Sequence, residues 1–424
     1  MIATMVLILL MTLLAGSYPA IFLTSFNPVE AIRGKSKSGG GGKIFRNGLV
    51  VFQFSVSIIL IICTSIVFRQ LNFISEKDLG FDKENLLVLE HVQYLKDGES
   101  LTNATLNVPG VLNASLCNSL PPTVWGGDSF SAEGMDNIKF QLNYTNADEQ
   151  FIPTLDIKME FGRNFSRDFP ADAESVILNE TAVRKIGWAL DESVIGKMIE
   201  YPGSEIRFEV IGVMADFNYW SLESPIEPMG IFHLKNKNVY AGVKRFLALR
   251  IASQNSESWK TTLDGLNNLW KVHAPDIPFK YSFVDQSFQQ TFKTQVQFGN
   301  VLTVMSTLAI LIACLGLLGM IIYTLEHRTK EIGIRKVSGA SAWNILTLIS
   351  KDYTRLIMIA FVISAPFSYW MMTQWLADFA FRIPMTVWVF ALAGLGTLLT
   401  AVLITSYHSV KAALMNPVDV LKDE

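Results

Sequence analysis

The chain has 424 residues, of which 50% are hydrophobic and only 17% charged, with a net charge of −3. Soluble domains carry roughly 25% charged residues, so the shortage points to a membrane protein, and the weakly acidic balance argues against general nucleic-acid binding, which needs a basic face. Cys63, Cys117 and Cys314 lie far apart, and His91, His233, His273, His327 and His408 are scattered, which argues against a disulfide framework and offers no CxxC motif or histidine pair at metal-ligand spacing.

A membrane span needs about 20 mainly apolar residues, and five segments qualify. Residues 1–24 contain the first. A cleaved signal peptide is the competing reading of residues 1–20, but no basic region precedes the apolar core. Residues 25–47 form a basic, glycine-rich linker containing "GKSKSGGGGK", a flexible composition. Gly34-Lys35-Ser36 looks like the end of a P-loop, but Val29 stands where that motif needs glycine, and no buried strand precedes it. Residues 48–69 are the second span, and the stretch 48–68 carries no charge.

Residues 70–293 change character. Charges, Asn, Pro and Gly appear, and apolar runs shorten to strand length. "NLLVLE", "SVILNE", "FEVIGVMADF" and "KRFLALRIAS" read as strands. "TAVRKIGW" and "SESWKTTLDGLNNLWKVH" read as amphipathic helices, the latter with Trp259, Leu263, Leu266 and Trp270 on one stripe. This is an α+β domain outside the membrane, large enough for a core of its own, and read here as two lobes. Residues 294–323 form a stalk and the third span. The mixed face of "FKYSFVDQSFQQTFKTQVQFGN" (279–300) extends that helix above the membrane.

Residues 324–353 are a connecting loop, 354–375 the fourth span, 376–385 a short outside loop, 386–408 the fifth span and 409–424 a tail. Pro366 kinks the fourth span, and Arg355 sits near its end, where it can snorkel. Arg33, Lys35, Lys37, Lys43 and Arg46 fall in one loop, and Arg328, Lys330, Arg335, Lys336 and Lys351 in another. Positive loops face the cytoplasm, which puts both loops and the tail inside, and residue 1 and residues 70–293 outside.

Two stretches repeat. "SYPAIFLTSFNPVEAIRGK" (17–35) and "SYHSVKAALMNPVDVLKDE" (406–424) share Ser-Tyr and Asn-Pro-Val at identical spacing. Asn27, Pro28 and Val29 thus correspond to Asn416, Pro417 and Val418. Each copy closes an apolar helix, so the first span reads as the last helix of a preceding unit, and the chain as a fragment or late start of a longer duplicated protein.

The stretch "RTKEIGIRKVSGAS" (328–341) lies between two spans. Glu331 and Arg335 stand at i,i+4, which favours a helix, and Arg328 and Glu331 at i,i+3. Gly333 and Gly339-Ala340-Ser341 keep the surface low for close approach of another backbone. Trp343, Ile345, Leu346, Leu348 and Ile349 then give an apolar face suited to the membrane interface. Orientation alone needs only scattered Lys and Arg, not Glu331 or the glycines. The loop therefore reads as a socket for another protein. There is no GxSxG or HExxH motif to support an enzyme.

This stretch resembles the cytoplasmic loop of the FtsX/MacB-type ABC transporter permeases. "GFDKENLLVL", "VPGV", "GRNFS", "VILNETAVRKIG" and "FEVIGVMADFNYWSLESPIEPMGIF" are similar to that family's periplasmic core domain, and "NPVDVLKDE" to its C-terminal end. The likeness is greatest to the C-terminal unit of duplicated eight-helix members. It implies an α-helical inner-membrane protein with a large α+β periplasmic domain. Arg328, Lys330, Glu331, Gly333, Arg335, Lys336, Gly339 and Ala340 would seat on a partner ABC ATPase dimer, with Asn416 and Pro417 of the Asn416-Pro417-Val418 end motif bracing the contact. ATP is then used by the partner, and this chain binds no cofactor and has no catalytic residue. The remaining implied partners are the bilayer, a second copy or a missing N-terminal half, and a periplasmic adaptor with an outer-membrane channel. The implied function is mechanotransmission, with export or extraction of a drug, peptide or lipoprotein. The alternatives are an FtsX-like regulator of cell-wall hydrolases and a membrane-anchored sensor or binding module.

Overall fold

The structure, a computed structural model, describes residues 40–95, 97–122, 126–134, 139–201, 205–220, 222–239, 246–252, 256–328 and 341–413, with Met5, Thr12, Glu331, Ile334, Arg335 and Ser338. Apart from Met5 and Thr12, the predicted first span lies outside the described residues, as do both Asn-Pro-Val copies (27–29 and 416–418). The chain divides into two compact units, one of Ile59–Leu308 with Ala365–Gly394, the other of Met1–Ile58, Ala309–Ser364 and Leu395–Glu424.

Helix α1 (Gly40–Glu76) leads into the mixed domain. There β1 (Leu86–Leu89), α2 (Gly98–Thr105), β2 (Val111–Cys117), β3 (Gly126–Ala132), β4 (Lys139–Ala147), α3 (Phe151–Leu155) and β5 (Met159–Gly162) follow. Next come β6 (Ser175–Asn179), α4 (Glu180–Ile186), β7 (Met198–Glu200), β8 (Arg207–Met214), β9 (Met229–His233), β10 (Phe246–Ile251), α5 (Ser256–His273), β11 (Tyr281–Phe283) and α6 (Val284–Thr291).

Strand order resolves two lobes. β11-β1-β10-β2 is an open antiparallel sheet. Its apolar side chains Leu87, Leu89, Leu116, Leu247 and Leu249 pack with Leu101 of α2 and with Leu266 and Trp270 of α5. The stripe expected on α5 is present, since Trp259 and Leu263 join the same cluster. The second lobe is a ring: β4-β3-β7-β8-β6-β9, closed by parallel pairing of β9 with β4 from Asn143↔Met229 to Ala147↔His233. Alternation along β4 sends Phe140, Leu142 and Tyr144 into one core with Phe130, Phe208 and Phe232, as a half-buried strand requires. Phe232 lies 4.8 Å from Phe208 and 5.8 Å from Phe130, ring centre to ring centre. α4 begins where the Asn179 side chain accepts from the Ala182 N–H at 2.9 Å and ends at Gly187 in the left-handed region, φ 89°, a cap at each end.

Beyond the domain, α7 (Lys293–His327), α8 (Ala342–Ala377) and α9 (Val387–Ala413) are long and apolar. With α1 they give four candidate membrane spans among the described residues. Several boundaries differ from the sequence reading: α1 runs from Gly40 to Glu76 instead of 48–69, taking in the end of the expected linker, and α9 continues to Ala413. Residues 279–291 are not a continuous stalk helix: Tyr281–Phe283 pairs with β1 and α6 is separate, so α7 starts at Lys293. The aromatic alternation of 279, 281 and 283 favoured a strand there. α8 starts a dozen residues before Thr354, because Ser341 caps it, its hydroxyl accepting from the Asn344 N–H at 3.3 Å. Arg355 is therefore well inside the helix.

Small and hydroxyl side chains bring the helices together. The Ser364 hydroxyl donates to the Ser55 carbonyl at 3.1 Å, and Thr64 and Ser306 share a hydrogen bond of 2.8 Å. α9 buries Ala393, Thr397, Ala401 and Thr405, spaced by four.

Candidate functional site

The α7–α8 connection carries the predicted socket. The backbone is helical at Glu331, Ile334 and Arg335. Arg335 and Glu331 pair at 2.8 Å with side chains 49% and 46% exposed, so both charges are accessible to a partner. Ile334 is 63% and Trp343 70% exposed, an apolar complement beside the charges. Arg328, placed by spacing beside Glu331, pairs instead with Asp352 of α8 at 3.3 Å. Helix ends separated in sequence meet here, which i,i+3 counting cannot foresee. Lys330, Gly333, Lys336, Gly339 and Ala340 lie outside the described residues.

Below this segment, side chains tie three helices. Arg46 of α1 lies 4.3 Å from the ring centre of Tyr323, and Tyr323 stacks on His327 at 4.1 Å. The Tyr353 hydroxyl donates to the Met320 carbonyl at 3.0 Å and shares a 2.9 Å bond with Thr324. The segment thus stands on a base where α1, α7 and α8 are fixed to one another. The described part of the segment carries exposed charges and an exposed apolar side chain on a braced root.

The outside domain holds a second polar cluster that sequence reasoning missed. The two lobes' sheets share one ladder pair, Cys117↔Ala147. Asp148 follows directly. Its carboxylate accepts from the Ser115 hydroxyl at 2.6 Å, the Leu116 N–H at 2.7 Å and the Gln150 N–H at 3.1 Å. Burial outweighs these bonds and lifts its pKa from the usual carboxylate range to about 6. Beside it, Arg167 pairs with Glu149, and buried His233 lies 3.9 Å from Glu149. Burial pushes the His233 imidazole below its ordinary value. These groups, with Glu99 and Lys235, line a cavity of about 140 Å³. Only the acidic pair in "ADEQ" (147–150), at the end of β4, hinted at it. No group of three or more His, Cys, Asp or Glu side chains fit to hold a metal occurs among the described residues.

Comparison with known proteins covers most of the chain. The FtsX-like permease C-terminal model matches residues 303–417, and the MacB-like periplasmic core domain model matches residues 56–256. The macrolide export ATP-binding/permease protein MacB of Neisseria gonorrhoeae is 23% identical over 226 residues, covering 51% of this chain and 34% of that protein. The pyoverdine export ATP-binding/permease protein PvdT of Pseudomonas syringae pv. syringae is 22% identical over 256 residues, covering 58% and 38%. The chain thus spans 34% to 38% of the length of these curated relatives. The crystal structure of the periplasmic region of MacB from Actinobacillus actinomycetemcomitans aligns with 51% of this chain and 97% of its own, at 19% identity and a TM-score of 0.37.

Proposed function

Because the chain belongs to the FtsX/MacB-type ABC transporter permease family, which works with an ABC ATPase, we propose that it is a membrane subunit coupling ATP hydrolysis by a separate ATPase to movement of its outside domain. The observation that carries this is the 328–341 segment. It lies inside the matched permease region, connects two long apolar helices, and presents a helical Glu331–Arg335 pair to solvent on a braced base. A segment needed only for orientation would have no use for that order.

In this reading residues 70–293 lie in the periplasm and the C-terminus in the cytoplasm. Arg328, Glu331, Arg335 and Lys336 make charged contacts with the ATPase, and Gly333 and Gly339 allow its close approach. ATP-driven closure of the ATPase pulls on the segment, and the helices convey the pull. The work done outside is export or extraction of a substrate such as a drug, peptide or lipoprotein, in keeping with the export named for the MacB and PvdT relatives.

The test is a pull-down from detergent-solubilised host membranes through a tag on the C-terminus, with partners identified by mass spectrometry. A Walker-type ATPase is expected, and it is lost on replacing Glu331 and Arg335 with Ala. Retained ATPase after both replacements sinks the assignment of the site.

A further inference from the structure

The turn between α8 and α9, residues 378–386, has little to do if it merely joins two membrane helices. Helix–helix connections of two to eight residues suffice, and such turns are normally solvated. Here the turn is built into the outside domain.

Gln70 of α1 is fully buried. Its Nε2 donates to the Phe381 carbonyl at 2.7 Å, and its Oε1 accepts from the Ile383 N–H at 2.9 Å. One side chain thereby satisfies two backbone groups two residues apart, as a neighbouring strand would. The Ala380 N–H donates to the Glu223 carbonyl at 2.8 Å, and the Gln295 amide, near the start of α7, donates to the Glu223 carboxylate. Arg69 donates to the Thr386 hydroxyl at 2.6 Å, and the Lys77 ammonium lies 4.2 Å from the Phe381 ring centre. Phe379 is buried in the same apolar cluster as Phe81, Phe217 and Phe288. A buried amide with both ends satisfied fixes geometry, and removing it leaves the buried Ile383 N–H and the Phe381 carbonyl unpaired.

The turn is also the far end of α8. That helix begins at Ala342, directly after the 328–341 segment, and is one element to Ala377. Pro366 removes one bond from its ladder without ending it. We propose that residues 378–386 form a latch through which α8 hands its movement to the outside domain, with Gln70 as the positioning residue that seats the latch. This rests on the coupling role proposed above, and it adds α8 to α1 and α7 as a helix that conveys movement to the domain.

The test uses the full chain with the ATPase that co-purifies with it, in nanodiscs. Hydrogen–deuterium exchange of residues 222–239 is compared with and without ATP plus vanadate. The native complex is expected to show a nucleotide-dependent change in uptake. In Gln70→Leu that change is lost, while ATPase binding and hydrolysis stay at the native level. A cysteine pair, Glu223→Cys with Ala380→Cys, then relinks the turn in the Gln70→Leu background. The change returns when the pair is oxidised and disappears on reduction, which a merely destabilised domain would not show. No change in the native complex overturns the coupling reading and the latch together. A native-sized change in Gln70→Leu overturns the latch alone. Should Gln70→Leu fail to fold, Arg69→Ala with Lys77→Ala removes two rim contacts without entering the core. Loss of the change supports the latch there too, and its full retention overturns it.

Discussion

Replacing Asp148 with Asn should remove a definable part of the pH dependence of the outside domain. Asp148 stands where the two lobes' sheets join, and burial is the main reason its pKa is raised from 3.8 to about 6. Holding such a carboxylate ionised costs the fold ~3 kcal/mol; because the residue keeps part of its surface, solvent screening reduces this to ~2 kcal/mol. For a group whose folded pKa is raised, the stabilising contribution is complete below pH 3.8 and is lost as pH rises through about 6. His233 works the other way: its pKa is lowered, so its contribution is present above 6.5 and is lost as pH falls. A raw pH curve mixes the two, and the difference between native chain and Asp148→Asn isolates the carboxylate. In the variant the amide oxygen keeps the Leu116 N–H, the amide nitrogen donates to the Ser115 hydroxyl, and the bond from the Gln150 N–H is forfeited at ~1 kcal/mol. Pulse proteolysis in urea, on the detergent-solubilised full chain, gives stability at each pH. Going from pH ~7 to pH ~4.5 covers about two-thirds of the full effect, so the native chain should gain ~1.3 kcal/mol on the variant. Parallel curves would refute the buried-carboxylate account.

Three further outcomes follow from the structure. Replacing Glu331 and Arg335 with Ala removes an exposed i,i+4 pair and should change stability by less than ~0.5 kcal/mol, so a thermal melt that stays in place beside a lost ATPase separates docking from folding. Phe232→Ala empties the centre of the ring lobe between Phe130 and Phe208, and should cost ~3–5 kcal/mol, read as an earlier urea midpoint in the same proteolysis assay. The exposed Lys271 lies at the end of α5; Lys271→Cys should react with a membrane-impermeant maleimide added to intact spheroplasts, and failure to label there but labelling after lysis reverses the proposed orientation.

The limits of the sequence are physical. α5 was legible because its own side chains bury one face: four apolar residues at helical spacing need no knowledge of their partners. β1, β6, β8 and β10 were legible as apolar runs for the same reason. β3, "GGDSFSA", was not, because its order comes from pairing with β4 and β7 and only Phe130 and Ala132 are buried. The ring itself is invisible in the chain, since its closing ladder joins residues more than eighty positions apart. At the candidate site, Glu331 and Arg335 were found because their contact is local. The Arg328–Asp352 pair was missed because it depends on where α8 starts. Gln70 is the extreme case. Near the end of an apolar helix a glutamine reads as the first residue out of the membrane, yet its partners lie 311 and 313 positions away. A polar residue at that boundary has two outcomes, solvation or a tertiary partner, and only the fold of the other hundreds of residues decides between them. Substitution at Gln70 therefore reads differently from substitution at an exposed neighbour such as Arg69: loss of the exposed group costs at most ~1 kcal/mol, whereas loss of the buried amide leaves two backbone groups without partners, and the ~1–3 kcal/mol cost of each falls on the turn that joins α8 to the outside domain.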